Sequence, residues 1–337
     1  MSNPLAKIID TKGWCVADGA TGTNLFGRGL ETGYPPELWS VERPEDILWL
    51  HNNFIDAGSD LILTNSFGGT TFRLKLHNAQ DRVSELNEVA AQLARQAADA
   101  HTKSTGRPIV VAGSIGPTGE LFEPLGELTH RSAFAAFRDQ ASALAKGGVD
   151  VLWIETMSSN EEVAAAIEAA KTTGLPICST MTFDTASRSM MGVTPANFAS
   201  FAAAEGADFI GANCGIGPAE LLHSVRGILT QVNEIPVVAK GNCGIPAYVD
   251  GAIHYHGTPE LMAEYALFAR DAGAKIIGGC CGTSPEHVAA MATALNGTAK
   301  RPFDPAAMNA AIGKAWDGVN TSGSGNAPRG GRRGRRR

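Results

Sequence analysis

The sequence predicts a (β/α)8 barrel, the TIM-barrel fold class, and three observations carry that prediction. Eight short β-rich runs alternate with eight longer, Ala-rich segments along the 337 residues. Glycine lies between several of those segments and the next run, at Ala57-Gly58, Gly147-Gly148, Gly206-Ala207 and Gly273-Ala274, where a helix C-cap would feed a strand. The four long or Gly/Pro-rich connections, 24–44, 115–130, 184–194 and 241–258, all follow a β-rich run. In a barrel that places them together on the C-terminal face, where active sites form.

The elements follow in order. The first strand is expected at 14–18, Trp-Cys-Val-Ala-Asp, and its helix at 46–57. The second strand, 60–64, precedes a helix at 82–100, and the third, 109–114, a helix at 132–146 that opens on Ser132. The fourth strand spans 149–156 and its helix, 159–172, opens on Ser159. Strands at 176–182, 208–213, 235–240 and 275–279 lead to helices at 195–204, 218–231, 259–272 and 285–295. Each of these four helices starts on proline, whose fixed φ and missing N–H suit the first turn. An open doubly wound sheet is the rival architecture. No G-x-G-x-x-G follows the first strand, and Asp18-Gly19-Ala20-Thr21-Gly22-Thr23 has the wrong spacing for one.

Composition narrows the function. A 44% hydrophobic content excludes a disordered chain. No apolar run reaches the length of a membrane span, and no signal peptide is visible, so cytoplasm is expected and no membrane. The net charge is −6, but the last nine residues hold six arginines and no acid, so the rest is near −12. The reading is one barrel over 1–316 and a disordered Gly/Ser/Arg-rich tail over 317–337. No aromatic interleaves the arginines, so nucleic acid is not the expected partner. Homo-oligomer formation stays open.

Six cysteines are too few for a disulfide scaffold, and in a reducing compartment clustered cysteines bind metal or do chemistry. Cys214 follows Phe209-Ile210-Gly211-Ala212-Asn213, and Cys280-Cys281 follow Ile276-Ile277-Gly278-Gly279. These are the ends of strands six and eight. Three thiolates meeting there suit one Zn2+ per chain, with the open fourth position of a catalytic site. Such a metal would hold an incoming thiol as thiolate, a nucleophile at neutral pH. Cys15, Cys178 and Cys243 read as core residues.

Five segments carry a resemblance: Asp18-Gly19-Ala20-Thr21-Gly22-Thr23, Thr64-Asn65-Ser66-Phe67, Glu155-Thr156, Gly211-Ala212-Asn213-Cys214-Gly215 and Gly278-Gly279-Cys280-Cys281-Gly282-Thr283. Over residues 10–295 the chain resembles the zinc-dependent homocysteine S-methyltransferase family, and most of all its bacterial betaine–homocysteine branch. The resemblance implies a barrel fold, zinc on Cys214, Cys280 and Cys281, and methionine formation from homocysteine. It implies that Asp18 and Glu155 hold the homocysteine ammonium group and that the amides of Gly19 and Ala20 hold its carboxylate. A route through cobalamin would need further domains. The donor is therefore expected to be a small onium compound: glycine betaine first, dimethylsulfoniopropionate next, S-methylmethionine as the alternative. Aromatic faces bind such cations, and Tyr34, Trp39, Phe67 and Tyr255 are the candidates. Gly68 stands where the animal betaine enzymes have an aromatic. The rivals are a metal-free barrel lyase, for which Lys240 is the strand-end lysine, and a nucleic-acid binder acting through its tail.

Overall fold

The computed structural model describes residues 3–184, 186–244, 246–249 and 252–316, with backbone alone at 246–249 and 252–254. The tail from 317 and the side chains of Tyr248 and His254 lie outside the described residues. Among the described residues there are ten strands: β1 (Cys15–Val16), β2 (Leu61–Leu63), β3 (Val110–Ile115), β4 (Val151–Met157), β5 (Ile177–Met181), β6 (Phe209–Cys214), β7 (Val237–Gly241), β8 (Pro246–Val249), β9 (Ala252–Tyr255) and β10 (Ile276–Gly279). Eight form one parallel sheet in the order β1-β10-β7-β6-β5-β4-β3-β2. A bridge between Ala17 and Leu61 joins its two edges into a barrel, so the expected fold class holds. β8 and β9 pair as an antiparallel hairpin inside the 241–258 connection, which the sequence reading left as a loop.

Alternation along each strand divides the core. On β3, Val110 and Ala112 point into the barrel, while Val111 and Ile115 face the helices. The barrel interior is filled by Cys15, Ala17, Leu61, Leu63, Val151, Trp153, Cys178, Phe209, Val238 and Ile276. A helix at Pro4–Lys12, absent from the sequence reading, closes the floor with Leu5 and Ile9. Asn3 caps it, accepting from the amides of Leu5 and Ala6, and Gly13 ends it at φ 88°.

One device recurs at the strand starts. Gly58, Gly148 and Gly206 take positive φ, and an aspartate follows two residues later in each case. Asp60 accepts from Val16 N at 2.9 Å, Asp150 from Val111 N at 2.8 Å and Asp208 from Ile177 N at 2.8 Å. Each carboxylate thus satisfies an amide within the first two residues of the preceding neighbour strand and ties the two strands in register. Among the described residues no helix is long and apolar enough to cross a membrane.

Candidate functional site

The interior becomes polar at its C-terminal end. Two residues beyond the apolar layer stand Ser114 on β3, Glu155 on β4, Thr180 on β5 and Lys240 on β7, and four beyond Phe209 stands Asn213 on β6, all buried. Above this layer Cys214, Cys280 and Cys281 converge, with their sulfur atoms within 4.8 Å of one another. The Cys214 and Cys281 sulfurs are 4.0 Å apart. A tetrahedral zinc with bonds of about 2.3 Å needs sulfurs about 3.8 Å apart, so the three residues fit that ion. No other cluster of metal-ligating side chains is found among the described residues.

Local backbone explains the convergence. Cys214 ends β6 at φ 61°, a left-handed turn rare outside glycine, which aims its thiol across the barrel mouth. A side chain at Gly279 would strike Thr283, so β10 can turn into Cys280 only as glycine. Two asparagines lock the arrangement. Asn242 accepts from Cys281 N at 3.1 Å and donates to Gly215 O at 2.5 Å, tying the two cysteine loops together. Asn213 accepts from Thr156 N at 2.9 Å and Thr180 Oγ1 at 2.7 Å, and donates to Thr156 Oγ1 at 2.7 Å and toward Cys280 Sγ at 3.8 Å. Thr156 itself sits at φ 62°, unusual for a β-branched residue, directly after Glu155.

The thiols titrate as a unit. Hydrogen bonds from Cys214 and then Cys280 pull Cys281 down to about 3, and contacts to Cys280 and Cys281 push Cys214 up. The Tyr255 hydroxyl also donates to Cys281, and its ring covers Gly282. Glu155 accepts from Ser114 Oγ at 2.5 Å. Burial first, and then the charge of Cys280, push its carboxyl up to about 8.

The other expected residues divide. Asp18 is brought to the barrel mouth, but Lys240 Nζ donates to its Oδ1 at 2.7 Å and Leu63 N to its Oδ2 at 2.7 Å. Ala20 N donates to Thr283 O at 3.1 Å, and a Cβ on Gly19 would strike the same carbonyl. Trp39 is 5% exposed, with the Arg43 guanidinium 4.3 Å from its ring centre. The Tyr34 hydroxyl donates to Glu42 at 2.8 Å, away from the cysteines. Phe67 is 37% exposed and its ring lies over Gly116. Its neighbour Gly68 donates its amide to buried Glu37 at 2.6 Å, and a Cβ there would meet the same carboxylate. Sequence reasoning gave no role to Asn213, Asn242 or Ser114. The strand-end lysine that the rival lyase reading requires, Lys240, has its ammonium committed to Asp18. The available signal was a polar residue in an inward register within an apolar strand, such as Lys240 after Val237-Val238-Ala239.

Comparison with known proteins agrees with this geometry. The family model for homocysteine S-methyltransferase matches residues 15–295. The chain belongs to that family. This family member is 30% identical over 302 residues to methionine synthase of Mycobacterium tuberculosis and 31% identical over 297 residues to that of Mycobacterium leprae. The matches cover 85% and 83% of this chain, which spans only about a quarter of those relatives, 25% and 24%. Among solved structures it superposes on the homocysteine methyltransferase MmuM of Escherichia coli in metallated form, with TM-score 0.70 and 25% identity. That match covers 86% of this chain and 99% of the other. Membership makes the protein an enzyme, and the Cys214, Cys280 and Cys281 triad is consistent with zinc.

Proposed function

We propose that this protein forms methionine by moving a methyl group to homocysteine from a small onium donor, glycine betaine in the first instance. The observation that carries the reading is the triad of Cys214, Cys280 and Cys281 at the barrel mouth, with buried Glu155 close enough to feel the charge of Cys280. When bound there, zinc supplies Lewis acidity that keeps the acceptor sulfur deprotonated near neutral pH. The chain's own residues do the rest. Glu155 receives the acceptor ammonium group, losing its proton as the cation arrives, and Ser114 keeps that carboxylate aimed. Asn213 and Asn242 hold the cysteine loops at fixed separation, so the site is formed before substrate enters.

The acceptor sulfur contributes its electron pair to the new S–CH3 bond while the donor's onium–CH3 bond breaks. The bonding pair of the broken bond stays on the donor heteroatom, so the donor leaves as a neutral amine or thioether. Loss of that cationic charge favours a site poor in water, and Phe67 and Tyr255 offer apolar cover. Dimethylsulfoniopropionate fits the same description, and S-methylmethionine is the alternative donor.

A second reading has a specific observation behind it, namely the 30% identity to a quarter-length portion of methionine synthases. In that reading the methyl group comes from a methylated corrinoid. The test is methionine formation by zinc-loaded protein from homocysteine with glycine betaine, dimethylsulfoniopropionate, S-methylmethionine or methylcobalamin, one at a time. Turnover with one of the three onium compounds is the expected result. Turnover with methylcobalamin alone replaces the onium reading, and no methionine from any of the four refutes the acceptor reading.

A further inference from the structure

Lys240 has no part in the chemistry just described, yet it is 2% exposed in a strand that is otherwise apolar. Burying an ammonium group is costly unless partners replace its water. Its partners are both on Asp18: Oδ1 at 2.7 Å and the main-chain oxygen at 3.0 Å. Burial alone would weaken its hold on the proton, but the charges of Asp18 and Glu155 more than offset this and keep it cationic.

The path of this side chain is informative. β7 and β1 are not neighbours, because β10 lies between them. Lys240 spans that gap where β10 carries Gly278, at which a Cβ would sit 2.9 Å from the same Asp18 oxygen. That oxygen also accepts from Gly279 N at 3.0 Å, the residue immediately before Cys280. The second carboxylate oxygen of Asp18 accepts from Leu63 N on β2. Asp18 is thereby fastened to β2, β7 and β10 at once, and Lys240 supplies the only charged contact in the set.

We propose that Lys240 is a positioning residue of the acceptor site: by clamping Asp18 it fixes the strand end from which Cys280 and Cys281 emerge, and it aims that carboxylate, together with Glu155, at the acceptor ammonium. This assignment rests on the homocysteine reading above. It adds to the sequence expectation that two acids share the ammonium group: each Asp18 oxygen takes one internal donor and keeps a lone pair for the acceptor. It also gives the lysine a role that requires it never to be free.

The experiment compares Lys240→Met, Lys240→Gln, Asp18→Asn and the Lys240→Met/Asp18→Asn double variant with the parent enzyme, all zinc-loaded. It measures KM for homocysteine, KM for the donor, kcat, zinc retained per chain after dialysis, and the thermal midpoint of the metal-free protein. Lys240→Met is expected to raise the homocysteine KM roughly tenfold or more, the worth of one charge-assisted hydrogen bond. The donor KM should stay put and zinc retention should fall. Lys240→Gln, which keeps a donor without the charge, should fall between Met and the parent. The double variant should be no worse for homocysteine than the worse of its two parents, since both act through one contact. A folded Lys240→Met with parental homocysteine KM and parental zinc retention overturns the proposal. So does an equal rise in both KM values, or effects that multiply in the double variant. If Lys240→Met does not fold, Lys240→Gln carries the same comparison. If the parent enzyme forms no methionine, the functional reading has failed by itself. Zinc retention then still decides the clamp, with unchanged retention overturning it.

Discussion

Replacing Glu155 by Gln isolates the cost of ionising a carboxyl at the barrel mouth. The folded protein holds this proton up to about pH 8, whereas an ordinary glutamate releases it near 4.5. The folded state therefore binds more protons than the unfolded chain between those two values, so stability must fall as pH rises through the window. The contribution is complete below about pH 4.5 and lost as pH rises through about 8. At about 1.36 kcal/mol per pH unit, the window amounts to roughly 5 kcal/mol at most. Gln has the same shape and no proton to lose, so the variant lacks this slope. The assay is urea unfolding of the metal-free, reduced protein and of Glu155→Gln at five values from pH 5 to pH 9. The difference in stability between the two should drift against the parent by several kcal/mol across that range. A constant difference would refute the argument that burial holds a proton on Glu155. In the zinc-loaded enzyme, Glu155→Gln should weaken homocysteine binding more than donor binding, and the reverse order in calorimetry would remove Glu155 from the acceptor site.

Cys214→Ala and Cys280→Ala should each abolish zinc retention and methyl transfer, as metal analysis and a methionine assay will record. Full activity in either removes that residue from the ligand set. Asn213→Ala orphans the buried Thr180 hydroxyl and the part-buried amide and hydroxyl of Thr156. It should cost roughly 2–4 kcal/mol in unfolding experiments, because each abandoned buried group costs about 1–3 kcal/mol and such losses overlap. Tyr34→Phe should leave the donor KM unchanged, since its hydroxyl is engaged by Glu42, whereas Phe67→Ala should raise it; the opposite pattern in steady-state kinetics would put the donor in the first loop.

The fold was legible because its signals are local. Gly58, Gly148, Gly206 and Gly273 all take positive φ where the sequence reading expected caps, and all eight barrel strands fall within a few residues of their expected places. The Pro4–Lys12 helix escaped notice because Leu5 and Ile9 have only the barrel floor to pack against, a partner that exists only after closure. The zinc residues were legible because two strand ends carried unusual cysteines. The ion pair between Lys240 and Asp18 was not legible in the sequence. Their pairing spans 222 positions and passes over an intervening strand, so nothing in the spacing announces it. The expectation that Asp18 meets the substrate puts this carboxylate at the end of the barrel where the structure has it, but its internal partners Lys240 and Leu63 cannot be read from its place in the sequence.

On the onium reading, residue type alone does not decide which ring meets the donor. Trp39, Tyr34 and Phe67 all lie on catalytic-face loops, but a ring binds a cation only through a face that nothing else occupies. Arg43 already covers Trp39, itself a cation, and the Tyr34 hydroxyl is turned toward Glu42 at the surface. Gly116 leaves room for the Phe67 ring, and Gly68 leaves room for Glu37, where an aromatic side chain would collide with that carboxylate. If the donor is an onium compound, its recognition rests on fewer rings than a full aromatic cage. One ring contributes about 0.5–2 kcal/mol, or at most about thirtyfold in affinity. Loss of Phe67 can then raise the donor KM by no more than about thirtyfold through this interaction. Selection between donors must come from what meets the opposite end of the molecule: a betaine and S-methylmethionine both present a cation to Phe67 but differ in whether an amino group accompanies the carboxylate.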